Sequence, residues 1–482
     1  MSQAPAIVWF RDDLRLADHP ALARAAASGA PVICLYIRED PGQRQRPLGA
    51  AARWWLAGSL RALDEALRSM GQRLILRSGA ASEVMAAVIA ASGARTVFWN
   101  RRYDAGGIAV DTALKAELAA RGIAVASLPG NLLREPWEVK SGAGDPMKVF
   151  SPFWRAHQRL GDIREPLRRP TALAPFNGGL ASEDLASWDL EPTKPNWASG
   201  FPEAWTPGEA GAQTALAAFL VGALGGYAEA RDRPDRPSTS RLSPHLRFGE
   251  ISPVQIWRQA HMAAGLDGSR DLTKFLAEIG WREFAYHLLF HFPDLAETNF
   301  QPRFDGFPWR DDAAALAAWR RGRTGYPLVD AGMRQLWQTG WMHNRVRMVV
   351  ASFLVKHLLI DWRAGERWFW DTLVDADVAN NPASWQWVAG SGADAAPYFR
   401  IFNPMLQGQK FDPHGNYVRR WVPELAALPK DAIHAPWEAP EPVLAKAGIR
   451  LGETYPHPVV DHDAARRRAL DALAEIRDPS AA

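Results

Sequence analysis

The feature that most restricts the fold is a regular alternation of short apolar runs and helical patterns over the first 130 residues. The apolar runs predict five buried strands at residues 7–10, 32–37, 73–76, 96–99 and 123–128. The intervening patterns predict helices at 20–27, 50–70, 82–91 and 111–120, with Ser82 and Asp111 as N-caps. Such alternation predicts an α/β domain, a doubly wound parallel sheet with helices on both faces.

The turn after the first predicted strand argues against one common use of this fold. It reads Arg11-Asp-Asp-Leu-Arg, whereas the pyrophosphate turn of a nicotinamide-dependent enzyme requires the pattern G-x-G-x-x-G. A two-domain nucleotide-dependent oxidoreductase is therefore disfavoured, although a dark assay of NADH oxidation would be needed to exclude it.

Charge, cysteine content and hydropathy exclude further classes of protein. The formal net charge is only +3 over 482 residues, so a surface for nucleic acid has to be a local basic patch. The single cysteine, Cys34, lies in an apolar run and can build neither a disulfide framework nor a cysteine metal cluster. No apolar run reaches the roughly 18 residues of a membrane span, and the N-terminal segment is charged. We expect a cytoplasmic monomer that contacts no membrane and binds no metal.

The composition changes twice along the rest of the chain. Residues 131–211 are rich in Pro, Gly, Ser and Trp without periodicity, which predicts an interdomain connector with one short helix near 153–160. From residue 212 to 482 the pattern is helical almost throughout and predicts an all-α domain. Its predicted helices cover residues 212–230, 252–264, 271–292, 312–321, 326–339, 344–360 and 366–372.

Several segments of the predicted helical domain concentrate polar and aromatic groups that a core would not require. Two helical faces carry side chains at positions i, i+3 and i+4, namely Glu278, Trp281 and Arg282 on one and Asn344, Arg347 and Met348 on the other. Each face is typical either of a satisfied salt bridge between helices or of a ligand site.

Two further segments are also compatible with either a structural or a ligand-binding role. Asp375, Asp377 and Asn381 follow an apolar helix and either cap the next helix or bind a polar heterocycle. The hydroxyl-rich loop at 239–243 either caps a helix or holds phosphate oxygens. Basic residues alternate with aromatic residues near these groups. This pattern is typical of nucleic-acid-binding surfaces and also of solvated charged faces. The basic residues are Arg231, Arg345, Arg400 and Lys410, and the aromatic residues are Trp281, Trp387, Tyr398 and Phe399.

Seven stretches in the same order along the chain resemble the photolyase/cryptochrome family over essentially its full length. They are VWFRDDLRL (8–16), TSRLS (239–243), IGWREF (279–284), TGYPLVDAGMR (324–334), WMHNRVRM (341–348), DWRAGER (361–367) and APYFRIFNP (396–404). The likeness is strongest to the bacterial branch that repairs cyclobutane pyrimidine dimers in DNA. It implies an N-terminal α/β antenna domain and a C-terminal helical domain that binds FAD.

The resemblance also implies which residues bind the cofactor. The expected FAD-binding residues are Tyr227, Thr239, Ser240, Arg241, Leu242, Ser243, Arg282, Asn344, Arg347, Asp375, Ala376, Asp377 and Asn381. Asn381 takes the position beside flavin N5, where plant cryptochromes carry an aspartate. An amide there suits the reduced flavin anion that is used for repair.

Three tryptophans match the family's electron relay, with Trp385 next to the flavin, Trp362 in the middle and Trp309 at the surface. The residues expected to act on the lesion are Glu278, Trp281, Asn344, Met348, Trp387 and Asn381. Those expected to contact UV-damaged DNA are Arg231, Glu278, Trp281, Asn344, Arg345, Arg400 and Gln407.

Two comparisons within the family refine the expected function. The branch that repairs (6-4) lesions carries histidines at the positions of Asn344 and Met348, and this chain has neither, which favours cyclobutane dimers as the substrate. The folate-binding Asn-Glu pair is replaced by Gly106 and Gly107, so the second, antenna chromophore could be a differently bound reduced folate, a deazaflavin or absent. The main alternative function is a cryptochrome-like blue-light receptor that binds FAD without repair.

Overall fold

The computed structural model describes residues 3–39, 46–265, 269–394 and 399–476. These residues form two compact units. The first unit draws on residues 1–197, 202–225 and 240–293, and the second on residues 198–201, 226–239 and 294–482. The domain boundaries expected at residues 130 and 211 do not coincide with this division and remain a prediction.

The first unit contains the predicted parallel sheet. Within the described residues its strands are β1 (Ala6–Phe10), β2 (Val32–Glu39), β3 (Leu74–Gly79), β4 (Thr96–Asn100) and β5 (Ala124–Leu128). All pairings are parallel, and the strand order is β3-β2-β1-β4-β5. The doubly wound α/β fold is therefore confirmed. Cys34 is fully buried in β2, where burial raises the pKa of its thiol to about 12.

Helices account for most of the remaining described residues. Before residue 294 they are α1 (Pro20–Ala27), α2 (Ala50–Arg68), α3 (Ala81–Ser92), α4 (Ala105–Ala120), α5 (Phe150–Arg159), α6 (Phe201–Ala204), α7 (Glu209–Gly222), α8 (Tyr227–Ala230), α9 (Ser243–Arg247), α10 (Pro253–Ala264) and α11 (Arg270–His291). After it they are α12 (Ala313–Arg320), α13 (Pro327–Thr339), α14 (Asn344–Ser352), α15 (Trp362–Thr372), α16 (Asn380–Ala389), α17 (Pro404–Phe411), α18 (Asn416–Trp421), α19 (Glu441–Lys446) and α20 (His462–Glu475). Short 3₁₀ helices lie at Leu185–Trp188, Pro302–Gly306, Pro423–Leu425 and Pro436–Glu438.

Two of the predicted helix caps are wrong. Helix α4 begins earlier than predicted and is capped by Asp104, which accepts a hydrogen bond from the Gly107 backbone. Asp111 lies inside α4, buried, where it accepts from Arg11 (2.6 Å) and from Trp99 Nε1 (2.8 Å). Ser82 does not cap α3, whose N-cap residue makes no side-chain hydrogen bond. Arg11 directly follows β1 and Trp99 lies on β4, and the local sequence pattern does not reveal either contact.

Two predicted helices of the C-terminal half are interrupted. The segment 212–230 forms α7 and α8, separated at Gly226, whose φ of 87° lies in the left-handed region that glycine adopts readily. The segment 344–360 forms α14 and then a π-helical turn at Phe353–His357. Such turns are frequent at functional sites. The helical character of this half is otherwise confirmed.

The core of the second unit is rich in tryptophan. Trp319 and Trp362 are fully buried, and Trp385 is 2% exposed. Of the 22 tryptophans in the sequence, five are buried in this core and four more pack against it. No described helix is both long and apolar enough to span a bilayer. The described residues also hold no group of three or more His, Cys, Asp and Glu side chains arranged for a metal ion.

Candidate functional site

An ion pair with one unsatisfied oxygen marks the segment between α15 and α16. Arg347 on α14 donates through Nη2 to Asp375 Oδ2 at 2.8 Å, and its Nε donates to the backbone oxygen of Met342. Asp375 is buried, and its Oδ1 has no hydrogen-bond partner in the described part of the chain. A buried acceptor without a donor costs about 1–3 kcal/mol. This oxygen is therefore suited to accept an N–H or O–H from a ligand.

The neighbouring acidic and amide residues divide between capping and the candidate site. Asp377 accepts from the backbone nitrogens of Ala379 and Asn380, so it caps the first turn of α16. Asn381 is buried, and its Nδ2 donates to Glu366 Oε1 at 2.7 Å. The amide nitrogen is thereby committed to Glu366, and the amide oxygen is the atom that could accept from a ligand. Of the two roles considered for this group, the structure supports capping for Asp377 and not for Asp375.

Two of the three predicted relay tryptophans are buried, and the one expected at the surface is half-buried. Trp385 is 2% exposed, Trp362 is fully buried and donates from Nε1 to Asn299 (2.9 Å), and Trp309 is half-buried. Gly365 packs against Trp385 so closely that a Cβ at this position would overlap the indole ring. The position of the indole is therefore fixed by its surroundings, while its role in electron transfer remains a prediction.

The side-chain face predicted at Glu278, Trp281 and Arg282 lies on α11, a helix of the first unit. Trp281 is half-buried and stacks on Phe150, with ring centroids 3.7 Å apart and planes 8° apart. Arg282 donates to the backbone oxygen of Asn131 at 2.7 Å and lies over the ring of Tyr286. Glu278 is half-buried on the same helix. The structure thus places these three side chains on one helix, as the spacing predicted.

The loop at 239–243 is divided between the two units. Thr239 belongs to the second unit, as does the buried Tyr227, whereas residues 240–243 belong to the first. Arg241 has a φ of 53°, an uncommon conformation for a residue with a side chain, and its guanidinium lies 4.0 Å from the ring centroid of Trp205. Ser240 is half-buried, Leu242 is buried, and α9 begins at Ser243 without a side-chain cap.

The predicted DNA-binding arginines are partly engaged within the protein. Arg345 forms an ion pair with Asp232 at 2.9 Å and lies over Phe411. Arg231 lies 3.8 Å from Asp232 and is half-buried. Because Asp232 serves both arginines, the local charge is reduced but remains positive.

The other residues expected to contact DNA or the lesion lie on the surface of the second unit. Arg400 and Asn344 are exposed, and Met348 and Trp387 are half-buried. Gln407 has a buried Oε1 that lacks a partner in the described ranges. Residues 396–398 of the matched stretch, including Tyr398, lie outside the described residues.

His343, which the sequence analysis did not single out, caps α14. Its Nδ1 accepts from the backbone nitrogen of Arg345, and the side chain is 2% exposed. Burial, assisted by the positive charges of Arg345, Arg347 and Arg231 and opposed by Asp232, lowers the pKa of His343 to about 4. The N-terminus of α14 is therefore capped by the neutral form of the His343 imidazole.

Replacing His343 by Asn should make the free energy of unfolding less sensitive to acid. As the pH falls from 6.5 towards 4, the unfolded chain gains a proton on His343 that the folded chain does not take up, so stability is lost in this window. Asn can keep the cap and cannot titrate. We expect wild type to lose roughly 2–3 kcal/mol more than His343→Asn between pH 7 and pH 4.5. Urea unfolding at both pH values measures this, and equal losses would contradict the assignment.

Comparison with known proteins defines the class to which this fold and site belong. Residues 275–475 match the family model described as the FAD binding domain of DNA photolyase, and residues 6–171 match the model described as DNA photolyase. The chain belongs to the photolyase/cryptochrome family.

Individual relatives cover nearly the whole chain. A deoxyribodipyrimidine photo-lyase of Agrobacterium fabrum is 55% identical and covers 99% of both chains. Cryptochrome-1 of Arabidopsis thaliana is 42% identical over 98% of this chain and 70% of its own. The crystal structure of a bacterial class III photolyase from Agrobacterium tumefaciens superposes with a TM-score of 0.96 at 55% identity, over 99% of this chain and 98% of its own.

Sequence reasoning missed several residues that hold the site in place. Glu366, Asp232, Asn299 and His343 bind predicted site residues directly. Glu366 lies within the matched stretch DWRAGER and His343 within WMHNRVRM, so the motifs contained a signal for both. Asp232 and Asn299 lie outside the seven stretches, and only the tertiary contact reveals them.

Proposed function

We propose that this protein repairs cyclobutane pyrimidine dimers in DNA, driven by light through reduced FAD. The observation that carries the proposal is the buried amide of Asn381, held by Glu366 at 2.7 Å. A neutral amide adds no negative charge next to an anionic reduced flavin, whereas an aspartate would, at a depth where charge is weakly screened.

The residues of the second unit fit FAD as the cofactor. Asp375 Oδ1 is a buried acceptor that still needs a donor, which a flavin ring nitrogen can provide. Arg347 is fixed by Asp375 and by Met342 and can supply positive charge to an anionic ring. When bound, reduced FAD supplies the light absorption and the electron for the reaction. The protein residues then have to hold the cofactor, keep the neutral amide of Asn381 in place and orient the substrate.

Binding of the lesion would combine stacking with hydrogen bonds. We propose that Trp281 and Trp387, both half-buried, pack on the dimer rings, while Glu278 and Asn344 bind the pyrimidine edges. Met348, also half-buried, would fill the wall beside them. Turning a damaged pair out of the duplex costs a few kcal/mol, and each stacked ring returns about 1–3 kcal/mol.

Binding of the DNA strand would rest on phosphate contacts. Arg400 is exposed and suited to this role, and Arg231 and Arg345 supply further positive charge around Asp232. Gln407 is half-buried, and its amide N–H groups could donate to a phosphate oxygen of the strand. Because such contacts release counterions, affinity for the damaged strand should fall steeply with salt.

A light-dependent repair assay tests the proposed function. Protein with chemically reduced FAD is mixed with an oligonucleotide that contains one defined thymine dimer, and dimers are counted by chromatography after blue light or darkness. We expect loss of dimers in the light alone. Persistence of dimers in the light, with FAD bound and reduced, would reject repair.

Glu278→Ala should lower the yield of repair per absorbed photon several-fold and leave the FAD content unchanged, because the side chain is assigned to the lesion and not to the cofactor. Lys274→Ala, an exposed substitution one turn earlier on α11, is the matched control and should repair like wild type. Quantum yields on the thymine-dimer oligonucleotide, measured beside FAD absorbance, distinguish the two roles. An unchanged yield would remove Glu278 from the lesion site.

A second chromophore is a further part of the proposal. A side chain at Gly107 would overlap Arg102 and Asp104, so a binding mode based on an Asn-Glu pair is sterically disfavoured at this helix start. A cavity of about 180 Å³ nearby is lined by Trp137, Phe290 and several basic residues, and we propose it as part of the antenna site. The absorption spectrum of chromophore released from purified protein distinguishes a reduced folate from a deazaflavin.

A blue-light receptor is the second candidate, favoured by the 42% identity to a plant cryptochrome. The two functions share FAD and differ at the lesion. Light-induced spectral change in FAD-bound protein, without any loss of dimers from the oligonucleotide, would favour the receptor.

A further inference from the structure

The π-helical turn at Phe353–His357 contacts the chain that carries Arg400, the exposed arginine proposed above to contact the DNA strand. This chain is the FRIFN segment (residues 399–403). The segment forms neither helix nor strand and leads into α17, which begins at Pro404. Because it has no regular backbone structure of its own, the position of Arg400 depends on what the segment is bound to.

Lys356 binds the FRIFN segment at Arg400 itself. Its Nζ donates to the backbone oxygen of Arg400 at 2.6 Å and lies 4.2 Å from the ring centroid of Phe399. The side chain is only 3% exposed, and no carboxylate within the described ranges forms an ion pair with it. Burial, assisted by the positive charge of Arg400, lowers the pKa of the amine to about 7. In either protonation state the amine keeps an N–H group for the carbonyl oxygen.

Two further contacts hold the FRIFN segment beside the same turn. Ser352, which directly precedes the turn, accepts at Oγ from the backbone nitrogen of Phe402 at 3.2 Å. Asn403 Nδ2 lies 3.1 Å from Nε2 of His462, whose Nδ1 lies 2.9 Å from Nε2 of His357. Asn403 also caps α17 through its side-chain oxygen. The segment is therefore held near its beginning, in its middle and at its end.

A buried lysine without an acidic partner is unfavourable for packing alone. Taking the amine out of water costs free energy that one carbonyl oxygen offsets only in part. An unbranched apolar side chain of similar volume, such as methionine, would fill the same space without that cost. The feature that distinguishes Lys356 from such a residue is therefore its hydrogen bond to the backbone of Arg400.

We propose that Lys356 is a positioning residue for DNA binding, which fixes the backbone of Arg400 so that the guanidinium meets a phosphate of the damaged strand. The inference rests on the proposed repair function and adds to it a residue that does not itself touch DNA. Ordering a flexible segment during binding costs affinity, and a segment that is already fixed avoids part of this cost. Ser352 assists through the second contact.

Binding of damaged DNA in the dark tests the inference. FAD-saturated wild type and Lys356→Met are titrated into a fluorescein-labelled oligonucleotide that contains one thymine dimer, and into its undamaged counterpart, at several salt concentrations. We expect Lys356→Met to bind the dimer roughly 3- to 30-fold more weakly. Its FAD content should be unchanged, and its Tm should equal or exceed that of wild type. The dependence of affinity on salt should weaken by about one phosphate contact.

A double-mutant cycle separates positioning from a purely structural role. If Lys356 acts through Arg400, Lys356→Met should weaken binding little further once Arg400→Ala is present, whereas independent roles predict additive losses. Lys446→Met is the matched control, because it removes a positive charge from the exposed face of α19. It should bind the dimer like wild type.

Ser352→Ala tests the same anchoring if Lys356→Met proves unstable. It removes a single oxygen, releases the segment at Phe402 and should also weaken binding without adding to Arg400→Ala. Wild-type affinity and salt dependence in the folded variant, or losses additive with Arg400→Ala, would overturn the inference and leave the repair function standing. If wild type shows no preference for the dimer over undamaged DNA, the proposed function fails, and the inference fails with it.

Discussion

Asp375→Ala is expected to reduce FAD affinity by at least tenfold while the helical unit stays folded. The substitution removes a buried acceptor that we assign to the flavin, and it also removes the ion-pair partner of Arg347. A hydrogen bond to a charged group contributes about 1.5–3 kcal/mol, which corresponds to roughly 10- to 150-fold in affinity.

The ratio of flavin to protein absorbance after gel filtration, followed by titration with FAD, measures this loss. Asp471→Ala, an exposed aspartate on α20, is the matched control. Circular dichroism and thermal unfolding show whether the variant is folded. A folded Asp375→Ala protein that retains FAD like wild type would contradict the assignment of this carboxylate to the cofactor.

Trp385→Phe is expected to slow photoreduction of oxidised FAD by at least tenfold. The benzene ring of Phe is much harder to oxidise than an indole, so the first step of the predicted relay would be lost. The substitution leaves a small cavity in a tightly packed place, between Phe369, Trp319 and Gly365, and the fold should tolerate it. Repair by chemically reduced protein should remain close to wild type, because that reaction does not need the relay.

Flavin absorbance during blue illumination with an external reductant measures the photoreduction rate. Trp421→Phe, a buried indole of the same unit outside the predicted relay, is the matched control and should photoreduce normally. Trp309→Phe should show an intermediate to large loss, with repair by pre-reduced protein again intact. Equal loss of photoreduction and of pre-reduced repair in Trp385→Phe would show a packing role and reject the relay.

The sheet could be predicted from sequence because its determinants are local. Parallel strands buried on both faces give short continuous apolar runs, and each predicted run lies within three residues of an observed strand. Asp111 shows where this reasoning fails. A polar residue at the apparent start of a helix resembles a cap, and only the fold brings Arg11 and Trp99 within hydrogen-bond distance of it.

The candidate site was predictable through motifs and much less through periodicity. The spacing of Glu278, Trp281 and Arg282 predicts a shared helical face, and the structure has it on α11. The spacing does not indicate that Asp377 caps a helix while Asp375 keeps an unsatisfied oxygen. Likewise, Asp232 pairs with Arg345 from 113 residues away, a contact that no local pattern encodes.

The most direct test of this account is the FAD content of the purified protein. After incubation with excess FAD and removal of the unbound cofactor, the account predicts one FAD per chain, visible as the flavin absorption bands. Protein that remains colourless after this treatment, while folded by circular dichroism, would contradict it.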